Sequence, residues 1–248
     1  MSRLAGKIAL VTGASRGIGA ATAQLFAAQG ATVLINHRDS AAGAEEVLAS
    51  LSGSGHRIVQ ASITDAEALA AAAKSVNDGE GRLDILVNNA AVSQVVQHSD
   101  LEALTDELID RILITNLRGV IGCIRAFRPM LEAAEAPVVI NISSLAATTA
   151  TGSNIAYAAS KGGLNNLTMS LARALAPKIR VMGVAPGLVN TEFTKSWDPA
   201  VVQTVVERTA LGSIAQPEDI ASAVLAACTD LSHSIGQTLL IDGGYWLS

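Results

Sequence analysis

Tyr157-Ala158-Ala159-Ser160-Lys161 places an acid and a cation four residues apart, and Ser144 stands a short loop upstream. A tyrosine phenol ordinarily titrates near pH 10 and is a poor acid at neutrality. If this segment is helical, Lys161 lies on the same face as Tyr157, where its ammonium is expected to favour the phenolate and lower the pKa. Ser144 follows the apolar run Val138-Val139-Ile140-Asn141-Ile142, so its hydroxyl sits at a strand end, available to hold a substrate oxygen. Such a set can give a proton to, or take one from, a carbonyl or alcohol oxygen. The chemistry then lacks only a hydride carrier.

A site for that carrier is written near the N-terminus. Lys7-Ile8-Ala9-Leu10-Val11-Thr12 reads as a buried strand, followed by Gly13-Ala14-Ser15-Arg16-Gly17-Ile18-Gly19 and an Ala-rich helical stretch to about Gln29. Gly13 suits a tight turn, Gly17 a close approach to pyrophosphate, and Gly19 close packing of helix on strand. A phosphate is expected on the helix N-terminus.

Thr12-Gly13-x-x-x-Gly17-x-Gly19, Asn88-Asn89-Ala90, Asn116, Ser144, Tyr157-x-x-x-Lys161 and Pro186-Gly187 follow one another along the whole chain. In this order and spacing the chain resembles the short-chain dehydrogenase/reductase family. Leu211-Gly212 and the closing Gln237-Thr238-Leu239-Leu240-Ile241-Asp242-Gly243-Gly244 are similar to the 3-oxoacyl-carrier-protein reductase-like members. The resemblance implies an α/β fold, a Rossmann-like doubly wound parallel sheet, in a single NADP(H)-binding domain over residues 1–248. It implies hydride transfer between nicotinamide and a ketone or secondary alcohol. Tyr157 would be the general acid or base, Ser144 would orient the oxygen, Lys161 would also hold the ribose, and Asn116 would support a proton relay. By the same resemblance the cofactor touches Gly13, Ser15, Arg16, Gly17, Ile18, Gly19, His37, Arg38, Ser62, Ile63, Asn89, Ala90, Tyr157, Lys161, Pro186, Gly187, Val189 and Thr191. Thr191 would fix the nicotinamide carboxamide.

Two positions depart from the family pattern. Ala91 stands where glycine is commoner, which would narrow the cofactor channel slightly, and Ser62 stands where an aspartate often meets adenine. NADP(H) is expected over NAD(H) because the second strand, Ala31-Thr32-Val33-Leu34-Ile35-Asn36-His37, ends without the acid that reads a ribose 2′-hydroxyl. Arg16 and Arg38 could clamp a 2′-phosphate, although Asp39 would enter the site on a small register shift, and both arginines could instead be solvated.

Apolar runs near residues 7–12, 31–36, 57–60, 84–87, 138–142, 179–184 and 237–241 alternate with long helical stretches, the pattern of a parallel sheet. Thr64-x-x-Glu67 and Ser99-x-x-Glu102 have the form of capping boxes, Asp65 looks like a helix-start residue, and Pro217 suits a first helical position. Long helices are expected over about 101–134 and 155–176. Asn116, amid apolar neighbours, needs partners for its amide or breaks the helix locally. Asp84 reads as a structural acid, and one of Ser143 and Ser144 as a turn residue.

The irregular stretch near 188–212 falls where the family carries a substrate lid, and there Phe193 and Trp197 would form an apolar wall that with Ser144 lines the substrate pocket. Their alternative is to pack the lid on itself. The expected substrate is a small-molecule carbonyl or alcohol of mainly apolar character, with a 3-oxoacyl thioester as the alternative. Glu132 and Glu135 stand where carrier-protein reductases often have basic side chains, while Arg125, Arg128, Lys178 and Lys195 could compensate. A cofactor-binding sensor without catalysis is the remote alternative.

Half of the 248 residues are hydrophobic, only 16% are charged, and the net charge is −5. The apolar excess and the resemblance together suggest a homotetramer, paired through the two long helices and the C-terminal segment. The acidic balance disfavours nucleic acid or an anionic membrane as partner. Cys123 and Cys228 lie in helical apolar stretches without metal-ligand spacing, and the four histidines are scattered, so no metal is expected. With no signal-peptide core and no run of transmembrane length, the expected location is the cytoplasm.

Overall fold

The computed structural model describes residues 2–195 and 197–247. The chain alternates strand and helix from the start: β1 (Ile8–Val11), α1 (Gly17–Ala28), β2 (Thr32–His37), α2 (Ala41–Ser50), β3 (Arg57–Gln60), α3 (Ala66–Glu80) and β4 (Ile85–Asn88). A longer excursion follows through α4 (Asp106–Leu113), a π-helical turn (Ile114–Arg118) and α5 (Gly119–Ala133) to β5 (Val138–Ile142). Then come α6 (Ala146–Thr149), α7 (Ile155–Leu175), β6 (Arg180–Pro186), α8 (Glu192–Lys195), α9 (Pro199–Arg208), α10 (Pro217–Thr229) and β7 (Thr238–Ile241).

All pairings are parallel, in the order β3-β2-β1-β4-β5-β6-β7. This is the doubly wound α/β sheet expected from the sequence. Successive residues of a strand face opposite sides, and here both sides are covered. Ala9, Val11, Val33 and Ile35 join Phe26, Ile220 and Val224 in the core on the α1 and α10 side. Ile8, Leu10 and Leu34 join Val76, Phe127, Leu131 and Leu164 on the α3, α5 and α7 side. Double-sided burial explains why the strands read as continuous apolar runs rather than alternating ones.

Local signals fared unevenly. Pro217 is at the first turn of α10, and Asp65 caps α3 by accepting from the Glu67 and Ala68 amides at 2.9 and 3.0 Å. The expected capping box of Thr64 and Glu67 is therefore corrected by one residue, because the Asp65 carboxylate takes the free donors. Ser99 and Glu102 start no helix: α4 begins six residues later, with Thr105 as its cap. The helix expected over 101–134 is thus shorter at its start and interrupted by the π-turn that contains Asn116. The stretch 188–212, irregular by sequence, holds α8 and α9, with Ser196 outside the described residues; no residue of α9 is buried.

Asp84 precedes β4 and is 3% exposed, consistent with a structural acid. Its carboxylate accepts from the Ile8 amide at 3.0 Å, the Lys7 ammonium at 3.1 Å and the Arg82 guanidinium at 3.2 Å, tying β1 to the start of β4. Asp84→Ala leaves the Ile8 amide and two cations without this acceptor. It is expected to lower unfolding free energy by roughly 1–3 kcal/mol in urea denaturation, with Asp84→Asn losing less.

Candidate active site

β1 lies between β2 and β4, so the connections leaving the ends of β1 and β4 run in opposite directions, towards β2 and β5, and a crevice opens between them. A cleft of about 470 Å³ runs from this point along the strand ends. Of the residues expected in the site, Gly13, Ser15, Arg16, Gly17, Ile18, His37, Arg38, Ser62, Ile63, Asn89, Ala90, Tyr157, Thr191 and Phe193 border it. Gly19, Asn116, Ser144, Lys161, Pro186, Gly187, Val189 and Trp197 are not in its wall. Asn36, Asp39, Ser40, Ala61, Thr64, Ala91, Val92, Ser93, Thr115 and Glu192 complete it.

One hydroxyl joins the two strand ends. Thr12 Oγ1 accepts from the amides of Asn89 and Ala90 at 2.9 and 3.0 Å and donates to the Val87 carbonyl at 3.2 Å. Asn89 returns the contact, its Nδ2 donating to the carbonyls of Thr12 and Gly13 at 2.9 and 3.1 Å. The glycine turn is thereby fixed against the end of β4. At Gly19 a Cβ would stand 2.5 Å from the Gly13 carbonyl oxygen, so only glycine fits where α1 closes on the turn. Gly17 has φ +56°, and a Cβ there would project towards Thr191, 3.5 Å away, across the cleft edge. The first turn of α1 has neither a side-chain cap nor an acid, so its free amides and dipole suit an anion. These features fit a dinucleotide phosphate.

After β3, Ser62 Oγ is engaged with Thr64 Oγ1 at 2.9 Å. Arg38 pairs with Asp39, whereas Arg16 has no side-chain bond among the described residues. His37, 4% exposed, has its Nδ1 buried without a partner.

The other end of the cleft is built around α7. Asn154 caps this helix, its Oδ1 accepting from the Tyr157 amide at 2.7 Å, and its Nδ2 donates to the Gln94 carbonyl at 2.7 Å. Ser93 and Ser153 share a hydrogen bond of 2.5 Å beside it. This cluster sets Tyr157 in the first turn of α7 and joins that turn to the loop after β4. It was not anticipated, although an asparagine before an apolar helical stretch is an N-cap signal.

Lys161 is 3% exposed, with Nζ donating to the Ile142 carbonyl at 2.7 Å and lying 5.7 Å from the Tyr157 ring centre. Burial pulls its ammonium down to about 8. Burial also pushes the Tyr157 phenol up, and a hydrogen bond with Ser144 offsets part of that rise. The expected lowering by Lys161 is therefore corrected: desolvation raises the phenol pKa, the Ser144 hydrogen bond is what opposes it, and the lysine head is turned to a carbonyl. Ser144 Oγ also accepts from the Ala146 amide at 3.2 Å, while Ser143 turns away to Asn165 Oδ1 at 2.6 Å.

Asn116, 1% exposed, holds the loop after β4: its Nδ2 donates to the Val92 carbonyl at 3.1 Å and its Oδ1 accepts from the Val92 amide at 2.9 Å. A further bond of 3.1 Å reaches Ser160 Oγ. The side chain is fully committed, and the local helix break takes the form of the π-turn. Phe193 borders the cleft and meets Trp197 edge-on at 6.1 Å, so Trp197 packs within the 188–212 segment rather than on the cleft wall.

The match of a family model described as enoyl-(acyl carrier protein) reductase extends over residues 13–246. The chain belongs to the short-chain dehydrogenase/reductase family. It is 35% identical to a 3-oxoacyl-[acyl-carrier-protein] reductase of Vibrio harveyi, over 98% of this chain and 99% of that one. It is 36% identical to a cis-4-hydroxycyclohexanecarboxylate dehydrogenase of Sinomonas cyclohexanicum, over 96% of both. A solved 3-ketoacyl-(acyl-carrier-protein) reductase from Brucella melitensis, complexed with NADH, superposes with a TM-score of 0.89 at 33% identity, over 98% of this chain and 99% of that one. The short-chain dehydrogenase/reductase chain is thus an oxidoreductase of ketone and alcohol groups that binds a nicotinamide cofactor. Among the described residues no group of His, Cys, Asp or Glu is placed to hold a metal ion, and no helix is long and apolar enough to cross a membrane.

Thr12→Val keeps the shape and removes the hydroxyl that three backbone groups share. The variant is expected to lose roughly 1–3 kcal/mol of stability and to bind nicotinamide nucleotide more weakly, whereas Thr12→Ser retains both. Thermal melts with and without nucleotide check this.

Proposed function

We propose that the protein is a cytoplasmic NADPH-dependent reductase of mainly apolar ketones, working reversibly on the corresponding secondary alcohols. The observation that carries the chemical part is the placement of Tyr157 at the inner end of the cleft, hydrogen-bonded to Ser144. Ser144 holds the substrate oxygen, and Tyr157 gives it a proton in reduction and removes one in oxidation. Burial raises the phenol pKa and so opposes proton release, which makes the acid role depend on stabilising the phenolate as it forms. The nicotinamide supplies or accepts the hydride. Lys161 holds the nicotinamide ribose hydroxyls and favours the phenolate as the proton leaves, and Asn116 supports the proton path behind it. The glycine turn and α1 hold the pyrophosphate, and Thr191 orients the carboxamide. The segment 188–212 acts as the substrate lid.

Preference for NADPH rests on Arg16 and on the lack of an acid at His37, the last residue of β2. Arg38 contributes less than its type suggests, since Asp39 already neutralises it. An apolar ketone is favoured over a carrier-bound thioester because the basic residues that could receive an acidic carrier are occupied. Arg128 is paired with Glu132 at 2.7 Å, Lys195 with Glu192 at 2.5 Å, and Lys178 donates to the Ala134 carbonyl at 3.0 Å. Of the four, Arg125 alone has no bond among the described residues. Phe193, 43% exposed, gives the lid an apolar face on the cleft.

Tyr157→Phe removes the acid and little volume. Turnover of a hydrophobic ketone is expected to fall by about 10²–10⁴-fold while nucleotide affinity is kept, and a variant with most of its kcat would reject the assignment. A homotetramer is supported by apolar residues left uncovered on the two long helical faces and the C-terminus: Ile114, Met169, Trp246 and Leu247. Light scattering at micromolar concentration should give four times the chain mass, and a stable monomer would refute it.

A further inference from the structure

Three consecutive residues at the end of β5 meet α7 at three successive turns. Ser144 bonds with Tyr157, the Ile142 carbonyl accepts from Lys161 Nζ at 2.7 Å, and Ser143 Oγ donates to Asn165 Oδ1 at 2.6 Å. Tyr157, Lys161 and Asn165 are spaced four residues apart and so share one face of the helix. The proposed chemistry uses the first two contacts and leaves the third unexplained. Ser143 is 4% exposed, its amide donates to the Val184 carbonyl of β6 at 2.7 Å, and its hydroxyl also lies 3.3 Å from the backbone carbonyl of Lys161. Lys161 is therefore gripped at both ends by adjacent residues, its ammonium by Ile142 and its backbone by Ser143. Asn165 is held from a further strand, because Thr238 Oγ1 of β7 donates to the same Oδ1 at 3.5 Å. Gly183 of β6 leaves room for that contact, since a Cβ there would collide with Thr238 Oγ1.

We infer that Ser143 and Asn165 are positioning residues for Lys161: their hydrogen bond fixes the height of its helical turn over β5, and with it the reach of the ammonium towards Tyr157 and the nicotinamide ribose. The inference rests on the role proposed for Lys161 and adds the device that holds it there. A lysine side chain is a flexible four-carbon stem, so its head has a fixed place only where both the root and the tip of the stem are held. The tip is held by the Ile142 carbonyl. The root moves with α7, which meets the sheet here through Leu164 and Leu167, and apolar contacts of this kind are not directional. The Ser143 hydroxyl supplies the direction. It points into α7 rather than the cleft, and neither it nor Asn165 borders the cleft, so the pair acts through Lys161 and not on the substrate.

The test is steady-state reduction, by the full chain with NADPH, of the best substrate from a panel of hydrophobic ketones. The wild type is compared with Ser143→Ala, Asn165→Leu, Lys161→Met and the double variant Ser143→Ala/Lys161→Met, and thermal melts confirm that each is folded at the assay temperature. Ser143→Ala and Asn165→Leu should each lower kcat by about tenfold or more, towards the roughly 10²-fold cost of misplacing a reacting group by about 1 Å, with KM for the ketone nearly unchanged. Ser143→Thr and Asn165→Asp keep a hydroxyl and an acceptor oxygen, and should recover most of the loss. In the Lys161→Met background Ser143→Ala should cost nothing further, because the group it positions is gone. The full loss repeated in the double variant, an unchanged kcat in Ser143→Ala, or a change in KM alone would overturn the inference while leaving Lys161 in its role. A wild type inactive on the whole panel, or a Lys161→Met variant with wild-type kcat, would reject the functional reading and the inference with it. Should Ser143→Ala not fold, Asn165→Leu in the same two backgrounds gives the same test.

Discussion

The site depends on a single threonine hydroxyl at the point where the sheet changes direction. Thr12 ends β1 and saturates its oxygen with two amides and one carbonyl from the strand beside it, while Asn89 returns two bonds to the turn. Parallel strands diverge at their carboxyl ends, and a glycine-rich turn has no side chains to pack. Without the clasp the turn would lack a fixed height above the sheet. With it, the first amides of α1, the cleft floor and the loop carrying Ser93 share one frame.

A second set of buried polar groups extends that frame to the reacting end. Asn88 Nδ2 donates to Asn141 Oδ1 at 2.9 Å, and Asn141 Nδ2 donates to Thr168 Oγ1 at 3.0 Å, linking β4, β5 and α7 through the interior. Asn116 adds the π-turn to the same assembly through Val92 and Ser160. Buried amides and hydroxyls are costly unless paired, so such a chain has few alternative arrangements. These bonds, together with the core contacts of α7, set the position of Tyr157 relative to the glycine turn.

The electrostatics at Tyr157 and Lys161 show how burial competes with proximity. A cation one helical turn from a phenol should lower its pKa, yet both groups lie in a low-dielectric environment that penalises each charged form. The phenol is pushed up and the ammonium down to about 8, and the Ser144 hydrogen bond and the Ile142 carbonyl decide where each head group points.

Much of this was legible in the residues. The continuous apolar runs specified buried parallel strands, the glycine spacing specified the turn before α1, and the ordered motifs specified the family, because each is a local requirement that few residue types meet. Asp84 and Pro217 declared themselves for the same reason. The N-cap at Asp65 and the start of α4 were less clear, since several nearby polar residues compete for the same amides. What the sequence did not contain was distance. The pairing of Arg38 with Asp39, the unpartnered ring of His37, the cap of Tyr157 by Asn154 and the withdrawal of Trp197 from the cleft wall depend on side chains converging from separate elements. The sign of the Tyr157 shift likewise needed the depth of burial, a property of the packed sheet and helices rather than of any segment. The sequence alone thus determined the fold and the inventory of reactive groups, because periodicity and glycine geometry are local. Only the tertiary structure decided which groups are paired, buried or left facing the cleft, because pairing and desolvation are set by neighbours far apart in the chain.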